Sequence, residues 1–400
     1  MASDVTDADN GNRPTGPFSG VTVIDLSRVL AGPFCTMLLA DMGARVIKVE
    51  APKTGDDSRG YGPFLNGESV YFKFVNRGKE SIALNLKNAD DHAVLEAMIA
   101  RADVLVENFR PGTMDKLGFT ADAVAKLNPR IIYASCSGFG QTGPMSHLPA
   151  YDTVVQALSG LMSITGHPDG PPTRAGISVA DLTSGLYTFS AIASALYARE
   201  KTGHGARVDI AMLDGMISYM IHGAMEYVVH GRELGRLGNG HASITPFDTY
   251  QAADEQIAIC VGGDEVFVRL CKAIERDDLA ADTRFARNRD RHTHQHALRL
   301  EIEGALARGS AEHWIGVIGT AGVPCAKIQS VSEAIESPQT AARNMIVEAG
   351  GLRMTGNPIK ISGYDDPTTR RPAPGLDADG AAIRREFGNA GKGSDAAAGS

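Results

Sequence analysis

Short apolar runs and amphipathic segments alternate along the first half of the chain. Residues 21–26 and 45–50 have the apolar, β-branched character of strands, and residues 32–43 between them have the spacing of a helix. The alternation continues through predicted strands at 81–86, 104–108 and 130–135 and predicted helices at 89–102 and 121–127. Successive βαβ units predict a parallel sheet with right-handed crossovers. The fold class is therefore predicted to be α/β, with a large Rossmann-like domain.

The second half of the chain changes character. It is predicted to hold strands at 206–211, 247–250 and 256–261 and helices from 182, at 213–230, 265–274, 296–307 and 312–320. The last two strands are close in sequence, which is typical of a small antiparallel element in an α+β domain. The predicted organisation is a disordered segment at 1–18, the large Rossmann-like domain at 19–224, a small α+β domain at 225–330, a return to the large domain at 331–387 and a disordered tail at 388–400.

One uncharged run, residues 182–198, approaches the length that spans a membrane. Five threonine and serine residues interrupt it, and only a short aromatic and basic group near 197–201 flanks it. This pattern favours a helix buried in the core of a large domain. No membrane partner is predicted.

Charge and cysteine content exclude several classes of function. The 400 residues include 39 Lys and Arg against 47 Asp and Glu, a net charge of −8 at pH 7, which is the wrong sign for binding a nucleic acid. The five cysteines never form a Cys-x-x-Cys pair, so neither a disulfide framework nor a zinc ribbon is predicted. The acidic first 17 residues do not resemble a secretory signal peptide. We therefore expect a cytoplasmic protein.

Two motifs suggest cofactors and then fail a closer test. Gly-Phe-Gly-Gln-Thr-Gly at 138–143 matches Gly-x-Gly-x-x-Gly after a strand, but Pro144 and the mixed residues beyond it do not open a helix at the third glycine. NAD binding is therefore improbable. His292, His294 and His296 alternate, but Asp290 is the nearest carboxylate and arginines flank it. No metal site is predicted.

One carboxylate has an unusual setting. Asp181 stands where a loop of small residues ends and the long apolar helix begins. An aspartate there suits a helix N-cap, and the same position also suits a nucleophile directed at a carbonyl carbon. The residues alone favour the cap.

Several segments, taken in order and spacing, resemble one family. They are Val-Leu-Ala-Gly-Pro at 29–33, Gly-Ala-Arg-Val-Ile-Lys-Val-Glu at 43–50, Val-Glu-Asn-Phe-Arg-Pro-Gly at 106–112, Ser-Gly-Phe-Gly-Gln-Thr-Gly-Pro at 137–144, Val-Ala-Asp at 179–181 and Lys-Thr-Gly at 201–203. The chain from about residue 20 to about residue 364 is similar to the class III CoA-transferases, the family of formyl-CoA transferase and carnitine CoA-transferase.

The resemblance implies a large Rossmann-like domain, a small domain and a homodimer of interlocked rings. It implies that Asp181 is the catalytic nucleophile, and that coenzyme A is a substrate and product, with no permanently bound cofactor. By position, the CoA-binding residues would be Leu30, Ala31, Leu84, Asn85, Leu86, Lys87, Asn108, Phe109, Arg110, Lys116 and Tyr151. The partners would be an acyl-CoA and a carboxylic acid.

The resemblance also draws attention to a glycine-rich loop at 235–241. Its residues Arg236, Gly238, Asn239, Gly240 and His241 form a candidate substrate lid, in which Arg236 or His241 would meet the far carboxylate of a short dicarboxylic acid. An ordinary interdomain loop is the alternative. Formyl-CoA transferase has consecutive glycines in its lid and a glutamine where this chain has Leu30, which argues against formyl-CoA and oxalate as the substrate pair. Its arginine after the second strand is also replaced, here by Ala51.

A sister group, the α-methylacyl-CoA racemases, supplies the alternative function. The racemases need a base on each side of the α-carbon, and their histidine stands in an Ala-Gly-His-Asp segment. Here the corresponding residues are Pro149, Ala150, Tyr151 and Asp152, so the histidine is missing. The sequence thus favours transfer of CoA over racemisation.

Overall fold

The computed structural model describes residues 14–388. Within them the chain divides into two compact units, one made of 14–159, Gly176–Tyr219 and 337–388 and the other of Gly160–Ala175 and Met220–Glu336. The second unit differs from the predicted small domain because it includes Gly160–Ala175.

The predicted disordered segments are 1–18 and 388–400. Of these, residues 1–13 and 389–400 lie outside the described residues. Residues 14–18 of the first predicted segment are packed, since Phe18 is buried and meets the ring of Phe189 edge-on with centroids 5.8 Å apart.

A six-stranded parallel sheet forms the centre of the first unit, as predicted. Its strands are β1 (Thr22–Asp25), β2 (Arg45–Glu50), β5 (Glu80–Ala83), β6 (Val104–Glu107), β7 (Ile132–Ser137) and β8 (Ala206–Ala211), in the spatial order β5-β2-β1-β6-β7-β8. Counted within the sheet this is the order 3-2-1-4-5-6 of Rossmann folds, so the chain reverses its winding between β1 and β6.

Helices cover both faces of this sheet. The helices of the first unit are α1 (Ala31–Asp41), α2 (Val70–Asn76), α3 (Ala89–Arg101), α4 (Thr113–Lys116), α5 (Ala121–Leu127), α6 (Asp152–Leu158), α8 (Val179–Thr202), α9 (Met212–Tyr219), α17 (Pro338–Ala342) and α18 (Gly380–Gly388). Neighbouring residues Val23 and Ile24 of β1 enter separate cores, because successive strand residues point to opposite faces. One core is shared with α1 and α8, and the other with α3, α5 and α18.

Two small ribbons complete the first unit. They are the antiparallel pairs β3 (Phe64–Leu65) with β4 (Glu68–Ser69) and β12 (Ile346–Ala349) with β13 (Leu352–Thr355).

The second unit is α+β, built on an antiparallel sheet. Its strands are β9 (Phe247–Gln251), β10 (Gln256–Cys260) and β11 (Cys325–Lys327), and its helices are α7 (Leu161–Ile164), α10 (Ile221–His230), α11 (Asp264–Ala273), α12 (Asp277–Ala281), α13 (Asn288–Thr293), α14 (Gln295–Leu306), α15 (Ala311–Thr320) and α16 (Val331–Ile335). The core of this unit contains Ile257, Leu298 and Trp314. The predicted antiparallel pairing of β9 and β10 is confirmed.

The prediction of one helix over 213–230 is wrong. The segment forms α9 and α10, which are separated at Met220, where ψ is +37° and the chain passes from the first unit to the second. Methionine-rich apolar sequence continues through the break, so periodicity alone hides it. Helix α9 buries Met212 and Met216, whereas no residue of α10 is buried in the monomer.

Helix α8 contains the uncharged run 182–198 and extends beyond both of its ends. Phe189, Ile192 and Leu196 of this helix are buried against the sheet, whereas Tyr197 is exposed. Across residues 14–388, none of the helices combines the length and hydropathy needed to cross a membrane.

Candidate active site

A cavity of about 200 Å³ opens at the carboxyl ends of β1, β6 and β7. Ligands of open α/β sheets bind at such a position, where the winding of the chain reverses and the loops diverge. The cavity brings together seven residues singled out in the sequence: Leu30, Ala31, Asn108, Phe109, Arg110, Tyr151 and Asp181.

A second cavity, of about 280 Å³, adjoins the first. It is lined by the predicted residues Leu84, Asn85, Leu86 and Lys87, which follow β5, and by Phe109. Arg28, Asp57 and Phe109 line both cavities and so form their junction. Lys116 ends α4 beside Leu117, which lines the second cavity, although Lys116 itself does not. Two segments that are remote in sequence therefore line adjoining cavities that share three wall residues.

Asp181 is not the N-cap of α8. Ser178 occupies that position, and Asp181 is the third residue of the helix. The N-cap interpretation of Asp181 is therefore wrong. The carboxylate is half-buried and faces the first cavity.

Asp152, the first residue of α6, does the capping instead. Its Oδ1 accepts a hydrogen bond of 2.8 Å from the backbone N–H of Ala180, and its Oδ2 accepts one of 2.6 Å from Nε2 of Gln156. Buried Asp152 thus satisfies a backbone donor in the first turn of α8, which would otherwise lack a partner. The side chain of Asp181 is left free of that structural task.

The surroundings of Asp181 favour its neutral form. Burial raises its pKa, and the charge of Asp152 raises it further, to about 7. A carboxyl group with a pKa near neutrality is typical of functional sites rather than of surface aspartates. In its ionised form, such a poorly solvated carboxylate is a more reactive nucleophile than one fully exposed to water.

Close packing brings α8 against the start of α1. A Cβ added to Gly185, one turn after Asp181, would lie 2.6 Å from the carbonyl oxygen of Ala31 and 3.0 Å from the ring of Phe34. Glycine therefore allows the contact that sets the N-terminus of α1 beside the first cavity. Leu30, the N-cap of α1, and Ala31 both line that cavity, and no side chain caps this helix. The positive end of the α1 dipole thus faces the same space as Asp181.

Comparison with known proteins identifies the family. Residues 18–380 match the sequence profile of CoA-transferase family III. An acetyl-CoA:oxalate CoA-transferase of Acetobacter aceti is 54% identical over 376 residues, which cover 94% of this chain and 97% of that protein. This chain belongs to CoA-transferase family III.

Two further comparisons agree with this assignment. A succinate–glutarate CoA-transferase of Agrobacterium fabrum is 40% identical to the enzyme, over 83% of this chain and 85% of the relative. The crystal structure of a CAIB/BAIF family protein from Brucella suis matches with a TM-score of 0.83 and 36% identity, covering 93% of this chain and all of that one. The predicted family and the parallel α/β fold are confirmed.

The first cavity of the enzyme contains Tyr151 at the position compared with the racemase histidine. This side chain is 72% exposed and precedes α6. Within residues 14–388, no histidine lines the cavity. The cavity wall near Asp181 also includes buried Cys136, whose pKa is raised to about 11, chiefly by burial, so that its thiol stays protonated.

The candidate lid of the enzyme belongs to the second unit. Arg236 donates from Nε to the carbonyl of His167 at 3.3 Å and from Nη2 to that of Pro168 at 3.4 Å, while the N–H of Gly238 donates to Gly166 at 2.9 Å. Asn239 donates from Nδ2 to Oγ1 of Thr249 at 3.1 Å. The loop is thus tied to neighbouring segments of its own unit, and its role as a lid stays a prediction.

His241 of the same loop is held neutral. Its Nδ1 accepts hydrogen bonds from the backbone N–H groups of Ser243 and Ile244, at 3.1 and 3.2 Å. Burial lowers its pKa, and so do the neighbouring His222 and His292. At neutral pH, Nε2–H is therefore a hydrogen-bond donor without a positive charge.

Two of the three alternating histidines, His292 and His296, lie near the residues of this loop or just after it. Nδ1 of His292 is 3.2 Å from Oγ1 of Thr245, whereas His296 lines a separate cavity that also includes His241. No group of three or more His, Cys, Asp or Glu side chains in the described part of the chain is arranged to hold a metal ion.

Sequence reasoning missed the structural role of Asp152. Its backbone partner, Ala180, is 28 residues away, so no local motif marks the contact. The sequence pattern also predicts no helix over Asp152–Leu158, so nothing marks Asp152 as a first-turn residue. Arg28 and Asp57, at the junction of the cavities, were also missed because neither stands in a segment assigned to CoA.

Proposed function

We propose that Asp181 is the nucleophile of an acyl-CoA:carboxylate CoA-transferase. The observation that carries this proposal is a half-buried carboxylate facing the cavity with a pKa raised to about 7, whose helix is capped by another residue. Near neutral pH about half of the free enzyme would hold Asp181 ionised. Racemisation is the weaker alternative, because the described cavity lining lacks the histidine base.

The reaction begins when a carboxylate oxygen of Asp181 attacks the thioester carbon of the donor. The carbon–sulfur bond breaks, CoA leaves as the thiolate, and a mixed anhydride joins the donor acyl group to Asp181. The thiolate then attacks the side-chain carbonyl carbon of Asp181. The anhydride carbon–oxygen bond breaks, the donor acid leaves as a carboxylate, and an aspartyl-CoA thioester remains.

The acceptor acid completes the transfer by the reverse steps. Its carboxylate displaces CoA thiolate from the aspartyl thioester, and the thiolate attacks the acceptor acyl carbon of the new anhydride. Asp181 is regenerated with one oxygen atom that came from the acceptor. Since the energy of the thioester bond is kept in the intermediates, these steps require neither ATP nor a metal ion. Water is the competing nucleophile, so the site must exclude it while an intermediate is present.

CoA would lie along both cavities. The thioester would face Asp181 in the first cavity, next to Leu30, Ala31, Asn108 and Tyr151, and the nucleotide end would lie in the second cavity. Residues 84–87 and Phe109 offer apolar surface and backbone groups for adenine. Lys87, Arg110 and Lys116 are basic residues close enough to the cavities to meet phosphates.

The acid substrate would be a short dicarboxylate. Relatives named for oxalate, and for succinate and glutarate, support this class. The relative named for acetyl-CoA and oxalate is 54% identical, so the replacements relative to formyl-CoA transferase are no ground for excluding oxalate. In the loop at 235–241, Arg236 would supply the positive charge for the far carboxylate, and neutral His241 would supply only a hydrogen bond.

The proposed assembly is a homodimer of interlocked rings. Apolar side chains of α10 support it, because Val228 is 79% exposed and Val229 is 70% exposed in the monomer. Tyr197 of α8, 66% exposed, adds an unburied aromatic side chain. A second copy of this chain is the proposed occupant of these surfaces. Cytoplasmic location stays an expectation from sequence.

Isotope exchange tests the proposed reaction. Acetyl-CoA and succinyl-CoA would each be incubated with ¹⁴C-labelled oxalate, succinate or glutarate, and label entering the CoA ester would be counted. Transfer of label for at least one pair, without wash-in of solvent deuterium at the acyl α-carbon, supports the transferase. In a parallel incubation with a chiral 2-methylacyl-CoA, deuterium wash-in at the α-carbon without transfer would instead establish the racemase alternative.

A further inference from the structure

Arg28 occupies the junction between the two cavities. Among the residues that the structure describes, it is the one basic side chain that lines both cavities. Its Nη1 lies 2.9 Å from Oδ2 of Asp57, and its guanidinium carbon lies 5.3 Å from the ring centroid of Phe109. Both partners of the ion pair are about half exposed, with side-chain exposures of 49% and 50%. A charged pair that water reaches so easily contributes little stability by itself.

The backbone beneath Arg28 is fixed on both sides. Its N–H donates to Oδ1 of Asn108 at 2.8 Å, and its carbonyl accepts from Nδ2 of the same side chain at 2.7 Å. The next residue, Val29, has φ of +68°, a left-handed conformation that β-branched residues seldom adopt. Such strain persists only where the surroundings enforce it, and it concentrates at functional sites.

Buried Asp56 connects the two loops that carry the ion pair. Its Oδ1 accepts from the N–H of Val29 at 3.1 Å and from that of Ser58 at 2.8 Å, so it caps the short 3₁₀ helix that begins at Asp57. Its Oδ2 lies 2.8 Å from Nζ of buried Lys48. The positions of Arg28 and Asp57 are therefore set by a buried network, while their side chains stay at the junction of the two cavities.

We propose that Arg28 binds the diphosphate of CoA and that Asp57 is its counter-ion when the site is empty. The inference rests on the proposed function, which puts the thioester in the first cavity and the nucleotide in the second. The diphosphate lies between those two parts of CoA and must then cross the junction. A guanidinium group can form two parallel hydrogen bonds with phosphate oxygens. This interaction is stronger than the ion pair that Arg28 makes with the half-exposed carboxylate of Asp57. On binding, Arg28 exchanges Asp57 for the diphosphate.

The test measures kcat/KM for three acetyl donors with the full-length enzyme and a fixed acceptor. The donors are acetyl-CoA, acetyl-dephospho-CoA, which lacks only the 3′-phosphate, and S-acetylpantetheine, which lacks the diphosphate. Arg28→Ala should lower kcat/KM roughly 10- to 100-fold for the first two donors, as expected for lost charged hydrogen bonds. It should leave the value for S-acetylpantetheine nearly unchanged. Asp57→Asn should have the opposite effect and raise kcat/KM for acetyl-CoA roughly 2- to 5-fold, because Arg28 no longer has to leave a charged partner.

A matched control is present in the second unit. Arg284 has a side chain that is 50% exposed, pairs with Asp282 and lies over the ring of Phe285, yet it lines neither cavity. Arg284→Ala should leave all three values unchanged. If the Arg28→Ala defect disappears with acetyl-dephospho-CoA, Arg28 contacts the 3′-phosphate and the proposal is wrong. An equal defect with S-acetylpantetheine would also overturn it.

Calorimetric titration with CoA and dephospho-CoA separates this inference from the proposed function. If the wild-type enzyme transfers no acyl group but binds both ligands, the proposed function fails, and the Arg28→Ala affinities still decide the inference. Weaker binding of both ligands by roughly 10-fold or more is the supporting result. Unchanged affinities overturn the role of Arg28 even in a fully active enzyme.

Discussion

Asp152 fixes the helix that carries Asp181 and, through its charge, makes that carboxylate harder to ionise. The hydrogen bond of 2.8 Å from Ala180 N–H to Asp152 holds the first turn of α8, and repulsion between the two carboxylates adds to burial in raising the pKa of Asp181. Structural support and electrostatic tuning thus come from one side chain. The two effects can be separated by a substitution that keeps the oxygen and removes the charge.

Asp152→Asn should move the pH profile of the enzyme to lower pH. The amide oxygen of asparagine can still accept from Ala180, so the helix start is retained, while the repulsion felt by Asp181 is lost. In the wild type, kcat/KM for the acyl-CoA should rise with pH about a midpoint near 7, since the carboxylate is the reactive form. The variant should show a lower midpoint. An unchanged midpoint with normal folding by circular dichroism would remove Asp152 from the electrostatics of the site.

Asp181→Asn should abolish transfer without unfolding the protein. An amide cannot form the anhydride, so the rate should fall roughly 10⁴-fold or more, as when a covalent nucleophile is removed. Asp214 offers a matched control because it is also the third residue of its helix, α9, but is exposed and does not line the cavity. Asp214→Asn should keep near-normal activity.

Oxygen labelling tests the same residue by a second route. Turnover with an acceptor acid carrying ¹⁸O in its carboxylate should leave one labelled oxygen in the Asp181 side chain, detected in the peptide by mass spectrometry. Label should not appear on Asp152. If Asp181→Asn retains transfer and no label reaches the wild-type peptide, the covalent mechanism is wrong.

The ionisation of Asp181 should also carry a cost in stability. Its folded-state pKa of about 7 lies above its ordinary value of 3.8, so the folded enzyme binds this proton more tightly than the unfolded chain does. The contribution of Asp181 to the free energy of unfolding is therefore lost progressively as pH rises from near 4 to near 7. The Tm of Asp181→Asn relative to wild type, measured without ligands, should be higher at pH 8 than at pH 5. A difference in Tm that does not change with pH would contradict the raised pKa.

Sequence reasoning succeeded where local pattern determines structure. The bounds of α5 and β8 agree with the predicted ranges, because turn residues delimit their hydrophobic patterns. The pattern failed at Met220, where apolar sequence continues across a change of unit. It also failed for Asp152, whose partner is distant in sequence. Residues 84–87 came from motif resemblance and not from the pattern, since their position beside Phe109 depends on the order of strands in the sheet. Motif resemblance selected Asp181. That Asp181 does not cap its helix could be seen only from the three-dimensional contacts of Asp152.

The oligomeric state is a separate prediction. If two copies interlock and cover α10, light scattering at micromolar concentration should give twice the chain mass of 42.2 kDa at all dilutions that keep the enzyme folded. Amide exchange should be slow in α10, although its side chains are exposed in the monomer. A stable folded monomer would contradict the interlocked assembly.

Gly185→Ala should impair both folding and transfer, because this position governs how closely α8 approaches α1. The new Cβ would lie 2.6 Å from the backbone oxygen of Ala31, a group that cannot move without displacing the start of α1. Overpacking of this kind costs about 1 to 3 kcal/mol, and the forced shift would separate Asp181 from Leu30 and Ala31 across the cavity. Gly304 in α14 is the matched control, since it is exposed and a Cβ there meets nothing within 4 Å. Gly304→Ala should leave Tm unchanged or raise it, because alanine is the better helix former. Equal Tm and kcat/KM for the two variants would show that the contact between α8 and α1 does not position the nucleophile.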